Sequence, residues 1–140
     1  MSEMKNLMKS TLEIATKAHE GHIPSGLSIL DILYVIYDRF IGKKNDLQNE
    51  THKNRFILSK GHAAVSFYVV LHEFGYLTEY ELENFAKFDS ILGGHPDRNK
   101  VPGVEVSSGS LGHGLPQAVG VAIAKKIKDE KGQIYVLIGD

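Results

Sequence analysis

The chain has 140 residues, 42% of them hydrophobic and 24% charged, with a net charge of −1 at pH 7; this suits one globular domain with a real core. No basic surplus marks a nucleic-acid or anionic-membrane surface, and the absence of Cys excludes disulfides and thiolate metal sites. Met1 to Lys9 is no signal peptide, since it carries Glu3, Lys5 and Lys9 and lacks an apolar run. No stretch approaches the ~20 apolar residues of a membrane span, so the expected location is the cytoplasm.

Leu7 to His19 is predicted as a helix, with Leu7, Met8, Thr11, Leu12, Ala15 and Ala18 on one side. The loop Glu20-Gly21-His22-Ile23-Pro24-Ser25-Gly26 ends it. Ser28 and Asp31 have capping-box spacing, and Ile29, Leu30, Ile32, Leu33, Ile36, Tyr37 and Phe40 continue at helical intervals. Gly42 to Asn54 is a polar loop. Arg55 to Ser59 is a short strand, Lys60-Gly61-His62 a turn, and Ala63 to Phe74 a helix. Thr78 and Glu81 form a second capping box, opening a short helix toward Phe88.

From Asp89 to Gly114 periodicity lapses, while Gly93, Gly94, Gly103, Gly109, Gly112 and Gly114 accumulate with Pro96 and Pro102. So long an irregular connection in a compact domain points to a functional loop. Leu115 to Lys128 is helical, with Leu115, Val119, Ala122, Ile123 and Ile127 as its expected buried stripe and Lys125 to Lys128 as a solvated end. Ile134 to Ile138 is a continuous apolar strand, as in a parallel sheet covered on both faces. Helices alternating with short apolar strands indicate an α/β fold built on a partial parallel sheet.

Three glycine-flanked histidines occupy turns: Gly21-His22, Gly61-His62 and Gly94-His95. Glycine permits sharp bends and close ligand approach, and His can exchange a proton near neutral pH. Converging at a sheet edge, the three make a polar pocket for phosphate and hydroxyl groups; taken singly, each is also explained as a surface-loop residue with local hydrogen bonds. A His-only zinc site is a further chemical option. His19, His52 and His72 read as solvated or structural.

Ser107 to Gly114 feeds a helix, and such a loop offers N–H groups and a favourable dipole to an anion. It is neither a dinucleotide fingerprint nor a P-loop, and flexibility alone also accounts for its glycines. Gly139-Asp140 closes the last strand, where ligands bind in open α/β sheets. An Asp there suits Mg²⁺, although turn or cap roles are common for Asp.

In order, GHIPSGLSILDIL, NRFILSKGHAA, GGHPD, PGVEVSSGSLGHGLPQAVGVAIA and YVLIGD resemble the N-terminal, diphosphate-binding part of transketolases. The match is nearest to members whose two cofactor-binding domains are separate polypeptides. The resemblance implies an α/β thiamine diphosphate-binding domain and transfer of a glycolaldehyde unit from a ketose to an aldose, with thiamine diphosphate and Mg²⁺ or another divalent cation. It implies substrate-facing or catalytic roles for His22, His62 and His95, and cofactor contacts from His62, Gly109, Leu111, Gly139 and Asp140, with Asp140 on the metal. It also implies a sugar or sugar-phosphate substrate, a second polypeptide carrying the rest of the enzyme, and a homo-oligomer of the assembled form.

Ile23-Pro24-Ser25-Gly26 stands where the family often has Pro-Gly-Gly, and Gly112-His113-Gly114 where Gly-Gln-Gly is usual. The family's Asn metal ligand and activating glutamate lie beyond the matched motifs. Residues 1–140 therefore read as an incomplete N-terminal domain, cut within the thiamine motif and inactive alone. A non-catalytic remnant or interaction module, or a plain metal- or phosphate-binding domain, are the competing readings.

Overall fold

In a computed structural model the protein is described over residues 2–44 and 53–139. His52, most of the expected 42–54 loop and the candidate metal ligand Asp140 lie outside the described residues.

Helix α1 spans Ser2–Ala18 and buries Leu7, Thr11 and Ala15, one residue per turn on a single face. Met8 and Leu12, also expected inside, are about two-fifths exposed; the inward stripe is narrower than the apolar one. Helices α2 (Ile23–Leu27) and α3 (Leu30–Ile36) follow, and α3 runs into a π-helical turn at Tyr37–Ile41. The expected Ser28/Asp31 capping box does not form. Ile29 is the cap residue of α3 and makes no side-chain cap, while the Ser28 hydroxyl donates to the Ser25 carbonyl at 2.9 Å. Ser28 therefore closes α2 instead of opening α3. Ile32 and Phe40 also turn outward, and Phe40 stacks on Tyr135 with ring centroids 4.9 Å apart.

Strands β1 (Arg55–Leu58) and β2 (Ile134–Leu137) pair in parallel, Arg55 opposite Ile134 and Leu58 opposite Leu137. The chain is thus an α/β domain, as the alternation of elements predicts. The two strands differ in burial. Phe56, Ile57 and Leu58 are buried, whereas Ile134, Tyr135 and Val136 are only partly covered. The expectation that both faces of β2 are covered does not hold: Leu137 alone of its four residues is buried, and among the described residues its one partner in the sheet is β1.

Between the strands, a 3₁₀ turn (Gly61–Ala63) leads into α4 (Ala64–Glu73), buried on every side from Ala64 to Leu71. A helix apolar all round belongs at the centre of a fold; α1, α2, α3 and α5 pack around it. Tyr37 anchors the adjoining aromatic cluster, its ring 5.7 Å from Phe56, 5.6 Å from Phe74 and 5.9 Å from Tyr76. Helix α5 (Glu79–Glu83) opens with the expected capping box: the Thr78 hydroxyl accepts from the Glu81 N–H at 3.2 Å, and the Thr78 N–H donates to the Glu81 carboxylate at 2.7 Å.

The segment from Asp89 to His113 contains no helix or strand, yet it is held firmly. Leu92, Val101 and Val104 are buried, the Tyr68 hydroxyl donates to the Gly93 carbonyl at 2.9 Å, and Glu105 pairs with Lys53 and Arg55 at 3.2 and 2.6 Å.

Helix α6 (Gly114–Ile127) reverses the expected orientation. Leu115, Val119, Ile123 and Ile127 are 45–80% exposed, and Gly114, Ala118 and Lys125 face inward. Lys125, expected at a solvated end, is buried; its ammonium donates to the Lys53 carbonyl at 3.2 Å and lies 3.8 Å from the Glu130 carboxylate. No helix among the described residues is long and apolar enough to cross a membrane.

Candidate functional site

Parallel pairing brings the carboxyl ends of β1 and β2 to one edge, where open α/β sheets carry their ligands. From β1 the chain continues through Ser59 and Lys60 into the 3₁₀ turn that presents His62. Beyond β2, Gly139 lies against the aliphatic stem of Lys60, 3.7 Å from where its own Cβ would be. Lys60 donates to the Ser28 hydroxyl at 2.9 Å, tying this edge to the α2–α3 junction.

His22 is the cap residue of α2. Helix α2 lies close against α4, since a Cβ on Gly26 would stand 2.5 Å from Ser66 Oγ. That docking sets the His22 ring edge-on to His62, with centroids 4.7 Å apart. On its other side His62 meets His95 at 5.1 Å, also edge-on. The three Gly-His turns, separated by 40 and 33 residues in sequence, thus form one row of imidazoles.

The 107–113 loop closes the row. Gly109 backs onto His95, with a Cβ there falling 3.5 Å from the imidazole Cδ2. The backbones of Gly61 and Gly109 touch: a Cβ on Gly61 would lie 2.9 Å from the Gly109 nitrogen. Only glycine admits that approach. Beside it the Ser108 hydroxyl is buried without a hydrogen-bond partner among the described residues. Leu111, by contrast, is 60% exposed. At the start of α6 the Gly114 N–H donates to the buried Ser59 hydroxyl at 3.1 Å, which fixes the loop's exit.

The His95 imidazole is held below the usual histidine range, chiefly by burial, then by the neighbouring His62 and His22; Glu20 pulls the other way. That shift favours the neutral ring, which can both donate and accept a hydrogen bond. Among the described residues no group of three or more His, Cys, Asp or Glu is placed to hold a metal ion, so the histidine row gives no support to the zinc option. Motif reading overlooked Glu20, Ser59 and Lys60. Each adjoins a Gly-His turn or belongs to the strand end before one, which is the signal that was available.

The family described as the thiamine diphosphate binding domain of transketolase matches residues 3–135. A relative from Phocaeicola vulgatus, a subunit of an apulose-4-phosphate transketolase, is 41% identical over 132 residues, which cover 94% of this chain and 47% of that protein. Human transketolase is 39% identical over 132 residues, 94% of this chain and 21% of its own length. Among solved structures, transketolase from Pichia stipitis in complex with sedoheptulose 7-phosphate superposes with a TM-score of 0.82 at 29% identity, covering 98% of this chain and 22% of that one. Transketolase from Leishmania mexicana gives 0.81 at 30% identity, covering 99% of this chain and 22% of that one. The chain thus spans about half the length of the Phocaeicola relative and about a fifth of the longer transketolases. Both the sequence match and the shared fold extend over nearly all of its residues, and the chain belongs to the transketolase family, in the thiamine diphosphate-binding domain.

Proposed function

We propose that this chain supplies the diphosphate-binding part of a transketolase-like active site, which moves a two-carbon glycolaldehyde unit from a ketose to an aldose, both sugars or sugar phosphates. The observation that carries this reading is the row His22–His62–His95, set at the carboxyl ends of the parallel strands against the Gly109 loop.

The residues fit thiamine diphosphate. The buried Ser108 hydroxyl, without a partner among the described residues, is a donor awaiting an acceptor, and the glycine contact between residues 61 and 109 packs the loop backbone closely against the His62 turn. Gly109, Leu111 and Gly139 would border the cofactor, with His62 beside its diphosphate. Asp140 would give a carboxylate oxygen to Mg²⁺ or another divalent cation, whose remaining positions suit phosphate and water oxygens. When bound, thiamine diphosphate supplies an electron sink for a two-carbon carbanion. The chain's own part is positioning and proton handling. His22 and His95 hold substrate hydroxyls, and the neutral His95 ring accepts a hydroxyl proton or donates its N–H as charge develops.

In this reading the chain contributes part of the cofactor site, and a second polypeptide completes it within a homo-oligomer. Two observations support a partner: the exposed Leu115, Val119, Ile123 and Ile127 face of α6, and the apulose-4-phosphate transketolase relatives, which are themselves named as subunits. The test is calorimetric titration of thiamine diphosphate with Mg²⁺ into the chain, then a ketose-cleavage assay with and without the complementing polypeptide. The expected result is weak or undetectable cofactor binding and no two-carbon transfer by the chain alone. Transfer should appear with the partner and fall about 10²–10⁴-fold in His95→Ala. Tight binding with turnover by the chain alone would overturn the need for a partner. No transfer in the complemented enzyme would overturn the transketolase reading.

A further inference from the structure

Glu20 borders the histidine row without belonging to it. It sits between two residues with left-handed backbone, His19 (φ +50°) and Gly21 (φ +105°), so the chain reverses sharply where α1 ends. The reversal lays the Glu20 side chain on the loop that carries His95. Its Oε1 is 3.1 Å from the position a Cβ would take on Gly94. The lack of a side chain at Gly94 is what admits the carboxylate there, one residue before His95 in that loop and two before His22 in its own. No hydrogen bond or ion pair within the described residues engages that carboxylate.

The charge pattern around His95 is lopsided. Of the titratable groups acting on it, His62 from the 3₁₀ turn and His22 from the start of α2 both oppose its protonation, and Glu20 alone favours it. Three imidazoles in edge contact repel one another as they gain protons, so a single carboxylate at the end of the row decides how readily the last one does.

We propose that Glu20 is the counter-charge of the His22–His62–His95 row and a positioning residue that acts through His95, steadying its protonated form while a proton is in transit to or from substrate. The positioning role rests on the transketolase reading; the charge coupling between Glu20 and His95 does not. A general acid–base group works best when it titrates near the operating pH. Burial and two like charges move His95 away from that condition, and Glu20 offsets part of the displacement.

The experiment follows the His ring protons of the chain by NMR between pH 5 and 8, in the wild type, in E20Q and in E13Q, with the His95 signal assigned by its loss in His95→Gln. Glu13 lies on α1 beside Lys9 and is an exposed control. In E20Q the ratio of protonated to neutral His95 at a given pH should fall about two- to threefold, the size typical of partly exposed unlike charges. E13Q should leave it unchanged, and E20K should lower it further. In the complemented enzyme, E20Q should move the acidic limb of the kcat/KM profile by the same amount and leave cofactor affinity unchanged.

An unmoved His95 titration in both E20Q and E20K overturns the coupling. A moved titration with an unmoved kcat/KM profile overturns the positioning role. If the complemented wild-type enzyme transfers no two-carbon unit, the transketolase reading fails, and the NMR result still decides the charge coupling.

Discussion

The first turn of α6 offers a test of how the site is held, because two glycines in one helix should respond to the same substitution with opposite signs. In Gly114→Ala the new methyl would lie 2.6 Å from Ser59 Cβ, 2.7 Å from Ser59 Cα and 2.8 Å from Ser59 Oγ. Carbon atoms at rest stand ~3.5–4.0 Å apart, so the deficit is about 1 Å, and a backbone Cα cannot rotate out of the way. The helix must move off the end of β1, which stretches or breaks the buried bond from the Gly114 N–H to Ser59 Oγ. Overpacking of this kind costs ~1–3 kcal/mol, and a buried donor left without its partner costs about as much again. The better helix propensity of alanine returns up to ~1 kcal/mol. The expected net loss is about 2–4 kcal/mol.

At Gly120 nothing lies within 4 Å of the added methyl, so Gly120→Ala keeps only the propensity term and should stabilise by ~0.5–1 kcal/mol. Urea unfolding followed by far-ultraviolet circular dichroism, fitted with a common m-value, reads both. A Gly114→Ala variant within ~0.5 kcal/mol of the wild type, the range of an ordinary surface substitution, would refute the close approach of α6 to Ser59.

Two further expectations concern the outer face of α6 and the cap of α5. Ile123→Asp, placed on the exposed face of α6, should change the stability of the chain by no more than ~0.5 kcal/mol while weakening assembly with the complementing polypeptide by about tenfold or more in a co-purification or calorimetric assay; undiminished assembly would show that this face is not the interface. Thr78→Ala removes the hydroxyl that accepts from the Glu81 N–H and should cost ~0.5–2 kcal/mol in urea unfolding, with Glu81→Gln losing less because an amide still accepts from the Thr78 N–H.

What the sequence determined by itself was local. The Thr78/Glu81 capping box needs a hydroxyl and a carboxylate three residues apart and nothing distant, and it forms as its spacing predicts. Phe56–Leu58 and Ile134–Leu137 are strands because short, apolar, β-branched runs bounded by turns have few other uses. Three Gly-His turns were visible as motifs, but their meeting was not. The 4.7 and 5.1 Å ring contacts depend on α2 docking against α4 and on the 89–113 loop folding back over the end of β1.

Tertiary structure also overruled periodicity where periodicity could name only a face. In α6 the apolar residues are evenly spaced, yet the inward positions go to Gly114, Ala118 and Lys125, because the end of β1 comes too close at Ser59 for a larger side chain and a carbonyl at Lys53 accepts the ammonium. Ser28 had the spacing of a cap, but the chain turns one residue later, at Ile29, and gives its hydroxyl to the preceding helix. Spacing states which residues share a side of a helix. Which side meets the core is settled by the size and polarity of the neighbour that arrives there, and that neighbour comes from elsewhere in the chain.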